Sequence, residues 1–271
     1  MPTTSASGWE IAYETLGPAE APASVLILGL SHRMAHWGRL PALLAERMRV
    51  VTFDCRNIGA SERRDEAYTL GEEAADVAAV LDACGIRRAI VYGRSRGGML
   101  AQEFALSYPE RVAALILSGT SHRGPGSAGE TARVTEAMRI DPRMSREEIF
   151  ARQDEAMAAP GWRERDPEAF NYCLSVDLEA PPRRFAVERQ REAMSQWSSY
   201  DRLVRIAAPT LVLCGEDDPM VPPPNSVSLA NTIPGAKLEL IPQCGHLPML
   251  EQPEAVRDAV FAFLDSAGLS G

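Results

Sequence analysis

Residues 89–98 read Ala-Ile-Val-Tyr-Gly-Arg-Ser-Arg-Gly-Gly, an apolar run that breaks into Gly93-Arg94-Ser95-Arg96-Gly97. Helix-forming sequence follows at once, from Met99 to Leu106. A serine on a sharp turn between a buried strand and a helix is held in a strained backbone conformation. Glycines two residues to either side let strand and helix approach closely, and the hydroxyl is pushed out above the sheet. The first N–H groups of that helix have no intrahelical partner and carry the positive end of its dipole, so Ser95 sits where an oxyanion is welcome. A serine in a glycine-rich turn also has a purely structural reading.

Other apolar runs repeat the strand half of this pattern. Ser24–Gly29, Val50–Asp54 and Ala114–Gly119, then Leu211–Gly215 and Lys237–Ile241 beyond Pro209, read as strands. Most are apolar on both faces, the mark of a parallel sheet covered by helices. Between the second and third strands Thr69 and Glu72 form a capping box, and Val77, Val80, Leu81 and Cys84 fall on one stripe. Gly85 ends that helix. Trp9–Gly17 reads as one or two antiparallel edge strands. A short helix is expected between the last two strands, and a final one over Pro253–Leu264. The fold class is therefore α/β, a mostly parallel central sheet flanked by helices.

Residues 121–205 break the alternation. Met138, Met144, Met157 and Met194 lie in charged, helix-like sequence interrupted at Pro142, Pro160 and Pro181–Pro182, with no strand-like run. The division is thus 1–120 for the first part of the α/β core, 121–205 for a helical cap over one end of the sheet, and 206–271 for the second part of the core. Methionine-lined helices suit a deformable pocket wall and equally suit a small helical core.

Composition narrows the partners. A net charge of −9 over 271 residues argues against nucleic acid or an anionic membrane surface. No apolar stretch approaches the roughly 18 residues needed to span a bilayer. The start, Met1-Pro-Thr-Thr-Ser-Ala-Ser-Gly, lacks the basic and apolar regions of a secretory signal. Cys55, Cys84, Cys173, Cys214 and Cys244 are odd in number and scattered, which suggests reduced thiols in a cytoplasmic protein. The four histidines lie far apart without ligand spacing, and no Gly-x-Gly-x-x-Gly is present, so neither a metal nor another cofactor is expected. A homodimer stays open.

Ligands on open α/β sheets bind at the carboxyl ends of strands. Past Leu211–Gly215 comes Glu216-Asp217-Asp218-Pro219; past Lys237–Ile241 comes Pro242-Gln243-Cys244-Gly245-His246. Serine, acid and histidine follow in that order, each just beyond a strand. A serine hydroxyl is a poor nucleophile until a neighbouring base removes its proton. Imidazole suits that task at neutral pH, and a carboxylate on its other nitrogen fixes the tautomer. Glu216, Asp217 and Asp218 compete for the role of acid. The acidic run alone would serve as a helix N-terminus, and His246 alone as a loop residue.

On these residues the chain resembles the α/β-hydrolase fold family over nearly its whole length. Gly93-Arg94-Ser95-Arg96-Gly97 matches the nucleophile elbow, Gly215-Glu216-Asp217-Asp218-Pro219 the acid turn, and Gly245-His246 with Glu251-Gln252-Pro253 the histidine loop. Asp54-Cys55-Arg56-Asn57-Ile58-Gly59-Ala60-Ser61 is similar to a turn of these proteins, with Asn57 replacing a glycine. Small esterases and lactonases are the nearest likeness, including enol-lactone hydrolases and polyketide methylesterases. The resemblance implies Ser95 as nucleophile, His246 as base, and Asp218 as acid because it precedes the proline. It implies an oxyanion hole from the N–H groups of Leu30 and Arg96, with Leu28 where the family often has histidine.

The expected activity is hydrolysis of a small-molecule carboxylic ester or lactone, small to medium and fairly apolar. The same triad could instead cleave a carbon–carbon bond or serve a natural-product cyclisation, and the fold could bind a ligand without catalysis. Arg94 and Arg96 stand where aromatic or aliphatic residues are common. Either one binds a substrate anion, or both pair with the protein's own acids, from the Asp54 or Asp217 turns. Arg94, Trp37 and His122 are candidate substrate-binding residues, and Trp162 and Trp197 are further aromatic candidates for the pocket or for packing.

Overall fold

The central strands run mostly apolar because each is covered on both faces. In β3 (Ala23–Ile27), Val25 and Ile27 enter one core cluster while Leu26, with Leu28 just beyond, enters the other. That is the two-residue period of a strand, written twice into one run. In the computed structural model, which describes residues 1–269, eight strands form one sheet. They are β1 (Thr3–Ala6), β2 (Trp9–Leu16), β3, β4 (Arg49–Phe53), β5 (Ala89–Arg94), β6 (Val112–Ser118), β7 (Thr210–Gly215) and β8 (Lys237–Ile241). Their order is β1-β2-β4-β3-β5-β6-β7-β8. β1 and β2 pair antiparallel at one edge, β2 runs antiparallel to β4, and all later pairs are parallel. The segment expected as edge strand is β2; the short β1 beyond it lacks an apolar run.

Helices cover the two faces. On one lie α2 (Leu70–Ala83), α3 (Arg96–Ser107) and α9 (Pro224–Thr232), which contribute Val77, Leu100 and Leu229 to the first cluster. On the other lie α1 (Leu40–Leu44) and α11 (Pro253–Ser266), which contribute Leu40, Val256 and Val260 to the second. Each such side chain stabilises the fold by about 1.5–3 kcal/mol when buried. The capping box forms: Thr69 Oγ1 accepts from Glu72 N at 3.2 Å, and Glu72 Oε2 from Thr69 N at 2.7 Å.

Between β6 and β7 run five α-helices, a 3₁₀ helix (Tyr200–Arg205) and no strand: the α-helices are α4 (Ala132–Ala137), α5 (Arg146–Met157), α6 (Trp162–Arg165), α7 (Pro167–Glu179) and α8 (Arg184–Ser195). Before α11 comes α10 (Pro248–Glu251). No helix among the described residues is long and apolar enough to cross a membrane. All five cysteines are free thiols, and four of them are buried.

Candidate active site

The turn after β5 forces Ser95 into the left-handed half of the backbone map, with φ 56° and ψ −122°. Such a conformation costs about 1–3 kcal/mol and persists only where neighbours over-determine it. They do so here. Ser95 N donates to Ser118 O at 2.8 Å, and Ser95 O accepts from Thr120 Oγ1 at 2.7 Å and Gly98 N at 2.9 Å. A Cβ on Gly93 would lie 2.3 Å from Gly97 O, and one on Gly97 would lie 2.1 Å from Ile27 O. Strand, helix and the end of β3 are therefore in backbone contact, and only glycine fits at either position.

The loops after β7 and β8 bring two more side chains to this point. His246 Nε2 lies 3.1 Å from Ser95 Oγ, and His246 Nδ1 lies 2.8 Å from Asp218 Oδ2. The other oxygen, Asp218 Oδ1, accepts from Met220 N at 2.9 Å and Val221 N at 2.8 Å. Two backbone donors thus fix this carboxylate. With Nδ1–H donated to Asp218, Nε2 is left as the acceptor for the serine proton. Glu216 and Asp217 point to solvent, so of the three acids only Asp218 meets His246. Burial pulls the His246 pKa below the usual 6.5; the Asp218 charge opposes that, and the Arg94 charge adds to it.

Buried Glu251 holds the histidine loop. Its Oε2 accepts from Gly245 N at 2.9 Å and Ala159 N at 2.8 Å, and its Oε1 from Leu247 N at 3.0 Å. Its carboxyl is pushed up by burial against the pull of those three donors. The sequence offered no sign of this beyond the family likeness of Glu251-Gln252-Pro253.

On the opposite side of Ser95 the chain leaves β3 through Gly29, where a Cβ would sit 3.0 Å from Ser95 Cβ. Ser31 N donates to Gln190 Oε1 at 2.8 Å, tying this turn to α8. No hydrogen bond among the described residues uses the N–H of Leu30 or of Arg96.

The two arginines part company. Arg96 forms a buried ion pair with Glu73 of α2. A protein acid is its partner, though not one from the Asp54 or Asp217 turns, because the α3 start faces α2 across the elbow. Arg94 meets no carboxylate among the described residues. Its Nε, at 3.1 Å, and its Nη2 both donate to His246 O, and its Nη1 donates to His32 Nδ1 at 3.0 Å. Asp54 is occupied in its own turn, where its Oδ1 accepts from Met34 N at 2.7 Å and its Oδ2 from Ala60 N at 2.8 Å. Asn57 accommodates the positive φ, 70°, of the glycine it replaces.

Two expected pocket residues lie elsewhere. Trp37 is wholly buried in the core, edge-on to Tyr92 at 5.2 Å. His122 is also buried: its Nε2 contacts Ser228 Oγ at 2.9 Å and its Nδ1 accepts from Gly124 N at 2.9 Å, which leaves no ring nitrogen for a ligand. Trp162 packs on Phe170, and Trp197 donates to Glu103. Instead, helices α5 and α7 supply a polar cluster that periodicity could not reveal. Asp154, Cys173 and Asp177 have donor atoms within 4.8 Å of one another and are, among the described residues, the group that could hold a metal ion. Asp177 is also 3.0 Å from His36 Nε2, and His36 stacks on His32 at 4.3 Å. Burial raises the Asp154 carboxyl well above the ordinary carboxylate range, and the Asp177 charge raises it further.

Known proteins share this arrangement of chain. A chain of 28% identity is the 3-oxoadipate enol-lactonase 2 of Acinetobacter baylyi, aligned over 97% of this chain and 96% of the relative. The poly(3-hydroxyalkanoate) depolymerase of Ectopseudomonas oleovorans is 33% identical over 80% of this chain and 75% of its own. A thermophilic esterase from Thermogutta terrifontis superposes with a TM-score of 0.80 at 29% identity, covering 97% of this chain and 96% of the esterase. The model of the alpha/beta hydrolase family matches residues 25–259, from within β3 into α11. This chain belongs to the alpha/beta hydrolase family.

Proposed function

We propose that the protein is a serine hydrolase that cleaves a carboxylic ester or lactone of a small to medium, fairly apolar acid. One observation carries the reading: a strained, half-buried serine whose hydroxyl lies 3.1 Å from an imidazole that is itself 2.8 Å from a doubly anchored carboxylate. Ser95 Oγ attacks the carbonyl carbon as His246 Nε2 takes its proton. Asp218 holds the ring in the required tautomer and stabilises the imidazolium. The Leu30 and Arg96 N–H groups receive the oxyanion, and the proton on His246 passes to the leaving oxygen. Water, deprotonated by the same imidazole, then releases the acid from Ser95. In this reading helices α4 to α8 form the cap that shapes the pocket and limits water, and the partner is a small-molecule ester or lactone.

A panel of p-nitrophenyl esters and lactones, with fluorophosphonate labelling alongside, tests this. The intact enzyme should release p-nitrophenol and incorporate one fluorophosphonate per chain. Ser95→Ala should lose about a millionfold in kcat and all labelling. Because the base must be neutral, activity falls as pH drops through the His246 pKa, so the acid limb of kcat/KM should lie below 6.5. An unlabelled Ser95 in folded protein would defeat the proposal. Labelling without turnover of any ester would point to carbon–carbon bond cleavage or cyclisation instead.

A further inference from the structure

We propose that Arg94 is a positioning residue for His246: it clamps the backbone of that residue and sets a buried positive charge against protonation of its ring. The inference rests on reading Ser95 and His246 as the working pair.

Three of the five N–H donors of Arg94 are committed. Nε and Nη2 converge on His246 O, while His246 N donates to Met157 O at 2.8 Å. Both polar groups on the main chain of His246 are therefore engaged, the carbonyl by a planar fork that resists rotation of the peptide. Nη1 donates to His32 Nδ1, so neutral His32 carries its proton on Nε2, and burial pulls its pKa well below 6.5. His32 adds no second cation.

The charge is the unusual part. A buried guanidinium is ordinarily matched by a carboxylate, as Arg96 is by Glu73. No acid among the described residues hydrogen-bonds to Arg94. Burial lowers its pKa only to about 10, so it stays charged at neutral pH. The groups that act on the His246 ring are Asp218 after β7, Arg94 on β5 and His32 after β3; Glu251 on α10 and Cys173 on α7 act on Arg94, and Asp154 on α5 feels the Arg94 charge. Asp218 favours the imidazolium. Arg94 disfavours it, which keeps the resting ring a free base at neutral pH and helps return its proton to the leaving group.

The test reads the ring directly: the low-field proton NMR signal of His246 Nδ1–H, followed against pH in the intact enzyme and in Arg94→Gln and Arg94→Lys. Arg94→Gln should move the titration midpoint up by about one pH unit. Arg94→Lys keeps the charge and should leave the midpoint in place. One ammonium cannot hold both His246 O and His32, so this variant should lose about tenfold in kcat on p-nitrophenyl acetate with little change in KM. A role confined to packing would lower the melting temperature of both variants without moving either midpoint, and that result overturns the proposal. If Arg94→Gln does not fold, Arg94→Lys decides: wild-type kcat refutes the clamp, and a midpoint displaced upward refutes the charge. The titration needs no substrate, so inertness towards all esters would retire the hydrolase reading without touching this measurement.

Discussion

On the strand side of Ser95 an arginine reaches forward to the histidine loop; on the helix side a second arginine reaches back into the fold. Arg94 ends on a backbone carbonyl and an imidazole, both beside the candidate chemistry. Arg96 ends on buried Glu73 of α2, and its Nε also donates to Gln190 O of α8 at 3.4 Å. The residues are identical and two positions apart, yet the half-turn between strand and helix gives them separate neighbours. Identity and proximity to a nucleophile therefore do not assign a role; the partner does.

The largest break expected between the two sides is in stability. Glu73→Ala would leave the Arg96 guanidinium buried and uncompensated, which should cost about 3–5 kcal/mol, read as a drop in the urea midpoint. The remaining folded fraction should keep the His246 titration of the parent. Replacing both partners with apolar residues, Glu73→Leu with Arg96→Met, should recover most of that loss, because the desolvation of two charges disappears with the pair. A double variant as unstable as Glu73→Ala would mean that Arg96 matters for more than its partner.

Both the sheet and the elbow could be read from sequence because their causes are local. A two-sided apolar strand, a Gly-x-Ser-x-Gly turn and a Thr-x-x-Glu cap each need only neighbours in the chain. Asp218 stood out among three acids only through the family likeness, since its two backbone donors and the outward turn of Glu216 and Asp217 are features of the folded loop. The partners of Arg94, the Glu251 anchor and the Asp154–Cys173–Asp177 cluster were not legible. Each joins residues far apart in sequence, and no periodicity records which loop faces which. Trp37 was hard to place for a related reason: it belongs to the core under the sheet end, and composition cannot separate a pocket wall from core.

A second break compares buried acids rather than buried bases. Asp154 lies near Arg94 but without its own cation, and its pKa is raised by burial and by Asp177. The folded protein thus holds a proton that the unfolded chain releases above about pH 4. That contribution to stability is complete below the ordinary carboxylate range and is lost as pH rises through the folded pKa. Asp154→Asn carries no such proton, so its advantage over the parent should grow between pH 5 and pH 8, at up to about 1.4 kcal/mol per pH unit until the folded pKa is passed. Urea melts at the two pH values check it. Parallel pH profiles for the two proteins would show that Asp154 is ionised in the fold, with a cation, the clustered Cys173 and Asp177 included in its shell, as the candidate partner.

The smallest effect belongs to Thr69, and it tests whether the helix side of Ser95 acts through stability alone. Thr69 caps α2, and Glu73 N donates to Thr69 O at 3.2 Å, so the cap sets the first turn from which Glu73 reaches Arg96. Thr69→Ala removes the acceptor for Glu72 N and one partner of Glu72 Oε2. The expected loss is about 1 kcal/mol of stability, with the His246 midpoint unchanged. If the midpoint moved with so small a change, the buried pair would be coupled to the histidine through α3, and the contrast between the two arginines would have to be redrawn as one network.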